Sequence, residues 1–413
     1  MTEKKIKLVK YACYTVNITM SAVVTLSPLL FVTFRTVYGI SYSLLGLLIL
    51  INYVVQLGID LIFSFFSHKF NIKKTVKIIP VISAAGLLIY ALSPLIFQSY
   101  VYIGLVIGTV IMASSCGLAE VLISPVIAAL PAKDPDREMS KLHSVYAWGL
   151  VGFVIFATLF LFLVGNENWQ WLAIAVSAVP LFSAVLFSKA ELPEMKTPEK
   201  TSATFEFIKD KGLWLCFFAI FLGGASECTM AQWSSGYLEQ AAGIPKLWGD
   251  IFGVALNAVM LGIGRTLYSK IGKNIGKVLF FGALGAVACY FTAAVCNVSF
   301  IGLFACAFTG FCTSMMWPGS LIVAQDRFPA GGVFIFAMMA AGGDLGASVG
   351  PQLIGIVTDA VSASPIAAEL ASTLGLLPEQ LGMKVGMIGG MLFPLAAIPI
   401  YFHIWKRSKR TVA

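Results

Sequence analysis

The sequence predicts an all-α membrane protein, with twelve transmembrane helices in two pseudo-symmetric six-helix bundles. Three observations predict it. Composition is the first: 58% of the 413 residues are hydrophobic and 12% are charged, against roughly 25% charged in an ordinary soluble domain. Recurring apolar runs are the second, each near the ~20 residues that cross about 30 Å of hydrocarbon. The third is a set of weak motif matches that relate the first six runs to the last six, in the same order and direction.

The runs fall near residues 9–34, 42–66, 75–97, 100–130, 139–164, 169–188, 211–240, 246–268, 276–296, 299–326, 331–359 and 382–405. Several exceed the minimum length and predict tilted or extended helices. The first follows Lys4, Lys5, Lys7 and Lys10 and so imitates a secretory signal. Its apolar segment is too long for one, and no small-residue cleavage site ends it, so it is read as a span. Of the 28 Lys and Arg, all but Arg35, Lys246, Lys384 and Arg265 lie in the N-terminus, the alternate loops 67–77, 131–141, 189–211, 269–277 and 327, and the C-terminus. The positive-inside rule then puts both termini in the cytoplasm of a plasma membrane, with a bacterial inner membrane as first choice. The net charge of +8 reads as topology, not nucleic-acid binding, because the basic residues are spread over many loops without a motif. The eight cysteines lie within spans with no Cys-x-x-Cys pair and read as small apolar filler.

The Ser/Thr/Pro/Lys/Glu-rich connection 189–211 cannot pack a core. It divides a bundle of residues 1–188 from one of residues 212–413, with a surface helix expected around 203–210. The loop near 360–381, with Pro365 and Pro378, reads as a short amphipathic cap on the opposite side. Three matches relate the halves at a consistent offset. Ser64-x-x-x-His68-Lys69-Phe70-Asn71 pairs with Arg265-x-x-x-Ser269-Lys270-Ile271-Gly272, Pro125 with Pro318, and Gly149-x-x-Gly152 with Gly343-x-x-Gly346. Transporters built from parallel repeats bind substrate near the midplane between the halves and alternate access by rocking.

An ionised acid in a bilayer core costs at least about 2.5–3.5 kcal/mol and is usually functional. Asp60, Glu120, Glu227 and Asp344, all inside apolar runs, are therefore the leading candidates. Asn52, Gln56 and Asp60 share one helical face at i, i+4 and i+8 and are expected to face water or a partner. Asp60, near the basic loop of Lys69, reads as a gating contact or a plain interfacial acid. Glu120 lies near the middle of the fourth span, where a carboxyl can change protonation with its access to water. Such a group couples transport to a proton gradient, or it serves packing alone. Glu227 is followed by Gln232, Trp233 and Tyr237. A carboxylate accepts sugar hydroxyls while rings stack on the C–H face; the same set suits an amine through cation–π contact, or Glu227 pairs with Arg265. Asp344 stands in Gly342-Gly343-Asp344-Leu345-Gly346, open to a proton role, a substrate role or a pair with Arg265. Asn17, Tyr146, Trp148, Asn257 and Trp317 lie where transporter cavities are lined. Pro125, Pro318 and Pro351 read as kinks.

Enzyme readings find no support. His68, His143 and His403 stand at separate ends, and no P-loop, HExxH or GxSxG is present. No cofactor or metal is expected, and the chain is expected to be monomeric. A channel would keep a continuous pore lining, which a kinked two-half repeat does not favour.

On these residues the chain resembles the major facilitator superfamily across its whole length. The loop after the second span is similar to that superfamily's signature, in which Gly and Asp precede a basic, Gly-containing turn. Here Ser64 replaces the first Gly, His68 the Asp and Asn71 the second Gly, while Lys69, Lys73 and Lys74 keep the charge. Asp60 is the candidate substitute for the missing acid. A narrower resemblance is to the fucose–galactose–glucose:proton symporter family. It rests on Glu120-Val-Leu-Ile-Ser-Pro125, on Gly224-Ala-Ser-Glu227 with Trp233 and Tyr237-Leu238, on Gly264-Arg265, and on Gly346-x-x-x-Gly350-Pro351. The first span offers Asn17 where the fucose symporter has an intramembrane Asp. The resemblance implies proton-coupled uptake of a small polar solute, a monosaccharide or sugar derivative, with sodium left open as the coupling ion. Glu120 and Asp344 would serve the proton; Glu227, Gln232, Trp233, Asn17, Gln56, Tyr146, Trp148, Asn257 and Trp317 the substrate; Asp60, Lys69 and Arg265 gating or charge pairing. The alternative is a proton-coupled antiporter exporting a cationic or amphipathic compound.

Overall fold

A computed structural model describes residues 2–40, 42–195, 207–240, 242–244, 250–296 and 298–410. Among these the regular elements are all helices, and twelve segments are long and apolar enough to cross a membrane. The helices are α1 (Glu3–Leu29), α2 (Phe31–Tyr38), α3 (Tyr42–Phe66), α4 (Ile72–Ile96), α5 (Val101–Ala128), α6 (Pro135–Val164) and α7 (Trp169–Lys189). They continue with α8 (Lys211–Gln240), α9 (Leu256–Ile271), α10 (Ile275–Val295), α11 (Ser299–Thr313), α12 (Met316–Arg327), α13 (Gly332–Ser362), α14 (Pro365–Thr373) and α15 (Pro378–Arg410).

Two apolar runs differ from single rods. The first ends as α1 just past Pro28 and restarts as α2. The tenth is divided at Ser314–Met315 into α11 and α12. The eighth begins with a wider π-type turn, Asp250–Ala255. The expected cap is the short helix α14, with Ser364 as its N-cap. Ile366 and Leu370 of α14, with Leu374 just past its end, are exposed at i, i+4 and i+8 and form an apolar stripe. The surface helix expected around 203–210 falls partly outside the described residues, as does Lys246; residues 207–209 are helical.

Capping explains where α4 and α10 start. Asn71 accepts the Lys74 N–H at 3.1 Å, and Asn274 accepts the Lys277 N–H at 3.1 Å. An Asn at this position satisfies an otherwise orphaned donor of the first turn. Asn-Ile-x-Lys thus opens the third span of each half. Asn71 stands where the superfamily signature has Gly, and the cap is its local function.

Chain contacts divide the molecule into two units, residues 1–207 with 328–341, and residues 208–327 with 342–413. In the first unit α4 packs on α5 and α7, and α1 on α6 and α7. Lipid supplies little hydrophobic driving force, so close packing and small residues must hold such bundles. Gly104 and Gly108 of α5 let Ser93 and Tyr90 of α4 approach. Trp169 meets Phe34 edge-on at 4.9 Å and Tyr90 at 5.8 Å, pairs worth about 0.5–1.5 kcal/mol beyond their area. The Tyr90 hydroxyl is hydrogen-bonded to Ser27 at 2.8 Å.

In the second unit three buried tyrosines join helices through backbone carbonyls. Tyr237 donates to Ala293, Tyr290 to Ser226 at 2.9 Å, and Tyr401 to Ala219 at 2.8 Å. Gly342, Gly346 and Gly350 form one face of α13 against Phe217, Phe221 and Ala225 of α8, a small-xxx-small seam. Lys384 of α15 is only 6% exposed. Its ammonium donates to the Cys296 carbonyl at 3.0 Å and the Ala294 carbonyl at 3.4 Å. That is a cation placed on the carbonyl end of α10, a role its position among the loops did not foretell.

Candidate charge site in a broken-helix bundle

The second unit buries an ion pair in its interior. One terminal nitrogen (Nη2) of the Arg265 guanidinium on α9 reaches both carboxylate oxygens of Glu227 on α8, at 2.8 and 2.9 Å. Arg265 is 3% exposed and the Glu227 side chain 14%. Removing two ions from water costs several kcal/mol each, repaid only by good geometry and further hydrogen bonds. The further bond is present: Arg265 Nε donates to the Ser314 carbonyl at 2.9 Å.

Local sequence explains why that carbonyl is open to a side chain. In an α-helix the Ser314 carbonyl accepts from the N–H of residue 318, and residue 318 is proline. Ladder bonding resumes one residue later, with the Gly319 N–H on Met315 at 2.8 Å. Pro318 lies in the first turn of α12, where a missing N–H is tolerated. Thr313, Ser314 and Ser320 each bond back to their own helix, a habit that bends helices. Gly264 completes the site, because a Cβ there would overlap the Ser314 side chain.

Around the pair, Trp317 lies against Gly224 and Gly343, neither of which leaves room for a Cβ beside the indole. Asp344 follows Gly343 directly and is buried. Trp233 is half-buried and donates through its indole N–H to the Pro351 carbonyl at 2.9 Å. Gln232 is exposed. Asn257 is buried, and its amide donates to the Cys306 carbonyl at 2.9 Å. Glu227, Arg265, Trp317 and Asp344 are thus gathered in one unit by α8, α9, α12 and α13.

The first unit holds the remaining candidates. Gln56 and Asp60 are buried and Asn52 half-buried, so the polar stripe of α3 faces protein. A Cβ at Gly117 of α5 would stand 3.1 Å from the Gln56 Cα, which identifies α5 as the partner there. Glu120, one turn further along α5, is half-buried. Ser64 donates to the Asp60 backbone carbonyl at 2.7 Å. Lys69 is exposed, with its ammonium 5.0 Å from the Phe66 ring centre. Asn17 is buried and donates to the Leu142 carbonyl at 3.1 Å, joining α1 to α6. Tyr146 is half-buried and Trp148 is 42% exposed. Neither Ser314 nor Pro318 stood among the candidates. A proline four residues after a polar residue in a span, with one Arg elsewhere in the membrane, was the available signal.

The sequence profile of the Major Facilitator Superfamily matches residues 11–351. Among solved structures the chain is similar to a single-substitution variant of the E. coli fucose:proton symporter FucP, with a TM-score of 0.71 at 14% identity over 94% of this chain and 98% of that one. It is similar to the proton:xylose symporter XylE bound to 6-bromo-6-deoxy-D-glucose, with a TM-score of 0.69 at 14% identity over 97% of each chain. A bacterial homologue of the human lysosomal transporter Spinster, inward-facing and occupied, aligns with a TM-score of 0.60 at 14% identity over 97% of this chain and 96% of that one. At such identities these likenesses show the fold. No curated protein sequence matches the chain.

Proposed function

The chain belongs to the Major Facilitator Superfamily, and we propose that within it this transporter imports a small neutral polar solute, a monosaccharide or sugar derivative, together with protons. The observation that carries the reading is the buried Glu227–Arg265 pair. Because Arg265 cancels the charge of Glu227, the pair offers polar atoms without net charge of its own, which suits a neutral, hydroxyl-rich solute. Solute hydroxyls donate to the Glu227 carboxylate as its bond to Arg265 loosens, and Trp233 and Trp317 offer ring faces to the C–H side of a sugar. Glu120, half-buried in an apolar helix, carries the proton, and Asp344 adjusts charge beside the pair. Likeness of fold to fucose and xylose symporters supports the solute class. The basic loops support a cytoplasmic location for both termini.

The deciding experiment is uptake into proteoliposomes of labelled sugars, amines and acids, with pH and sodium gradients varied separately. Sugar accumulation driven by an inward proton gradient, sharply lowered but still measurable in Glu227→Gln and stripped of its pH dependence by Glu120→Gln, is expected. Uptake with its pH dependence intact in Glu120→Gln would remove Glu120 from the proton path. Proton-driven efflux of a cation, with no sugar accumulated, would replace this reading by the antiporter.

A further inference from the structure

We propose that Pro318 is a positioning residue for the charge switch. By withholding a backbone N–H from Ser314, it leaves a carbonyl that keeps Arg265 on the broken helix while Glu227 changes partner. The inference rests on the reading of Glu227 as the carboxylate that switches.

Two of the anchors of Arg265 differ in kind. Glu227 is a charged acceptor that a proton or a solute hydroxyl can take over, and it sits on α8. The Ser314 carbonyl is a fixed dipole at the C-cap of α11, and no proton transfer can remove it. Helix C-termini carry a partial negative charge that favours a cation, so the guanidinium is held there even without its carboxylate. A buried Arg that lost its only partner would have to leave the bundle interior or draw in water, at a cost of several kcal/mol. With the second anchor, loss of the Glu227 contact frees α8 from α9 but keeps α9 tied to the α11–α12 break through the bond from Arg265 Nε at 2.9 Å.

The geometry makes the proline specific to this task. Alanine at 318 would supply the missing N–H, which would compete with Arg265 for the Ser314 carbonyl and favour continuity of α11 with α12. Pro125, which pairs with Pro318 in the internal repeat, lies inside the continuous helix α5 and makes no such break. The device therefore belongs to the second half alone.

A double-mutant cycle tests it with full-length protein. For sugar uptake in proteoliposomes, Pro318→Ala is expected to lower turnover by about tenfold with KM changed less than about twofold, the mark of an interaction used between states. In the Glu227→Gln background the same substitution is expected to change residual turnover by less than about twofold. A full tenfold loss in both backgrounds would show an ordinary structural proline and overturn the proposal. Melting temperatures in nanodiscs without solute separate this outcome from failure of the transport reading. Pro318→Ala should shift the melting temperature by different amounts in the wild-type and Arg265→Met backgrounds, whether or not a sugar is carried. Equal shifts in both would overturn the anchoring itself.

Discussion

Arg265 and Glu227, on neighbouring helices of one bundle, are joined by a guanidinium nitrogen that contacts both carboxylate oxygens, at 2.8 and 2.9 Å. Breaking such a buried pair from one side strands a charge, whereas removing both partners leaves none. Arg265→Met is therefore expected to destabilise the protein by about 3–5 kcal/mol. Adding Glu227→Gln to it should recover most of that loss while leaving transport abolished. Melting curves in nanodiscs, read beside uptake, check the order: a double variant no more stable than Arg265→Met would mean that the pair is not what the bundle relies on.

The glycines of the internal repeat are predicted to behave unequally. A Cβ at Gly346 would overlap the Phe221 carbonyl, but one at Gly152 meets nothing within 4 Å. Gly346→Ala should force α13 from α8, costing about 1–3 kcal/mol as overpacking does, while Gly152→Ala should be neutral or slightly stabilising through helix propensity. Comparable melting temperatures for the two variants would contradict the packing described.

These contrasts show what the sequence conveys and what it withholds. Twelve spans are legible because hydrocarbon thickness alone sets their length and composition. The break at Ser314–Met315 is not, since Pro351 lies inside the continuous helix α13 while Pro318 falls where a helix restarts. A proline removes one N–H in every case; whether the helix divides depends on what else satisfies the freed carbonyl. That Arg265 meets Glu227 is likewise not legible, because the contact turns on the rotation of α8 and α9 about their axes. Asn71 and Asn274 cap equivalent helices, yet matching Ser64 to Arg265 set Asn71 against Gly272 and hid the pair. Loop lengths differ between repeats, and only the helix starts correspond.

Lys384 gives a further prediction. Its ammonium satisfies two carbonyls at the end of α10 from a position almost closed to water. Lys384→Met keeps the stem but strands those carbonyls, and leaving a buried polar group unsatisfied costs about 1–3 kcal/mol. Arginine should restore part of the loss, since it too donates to carbonyls. Thermal unfolding of the two variants is the check, and a Met variant as stable as wild type would show that water or a neighbour replaces the ammonium without cost.

The chain beyond α7 is docked on the first unit by charge, and that docking should depend on pH. Both oxygens of Glu191 accept from the Lys5 ammonium at 2.9 Å, and Lys73 pairs with Glu194. The hydrogen bond from Lys5 and its charge hold the Glu191 carboxyl below its ordinary value of 4.5. A carboxyl with a lowered folded value contributes above its unfolded pKa and loses that contribution as pH falls through the folded one. The docking should therefore be complete at neutral pH and weaken only below about pH 4.5. Both partners are exposed, so salt should weaken it as well. Limited proteolysis in the segment after Lys189 is expected to accelerate below that pH, in high salt, and in Glu191→Gln at neutral pH. Cleavage rates unchanged by all three would mean that buried Ala190 and Leu192, not the ion pairs, hold the segment in place.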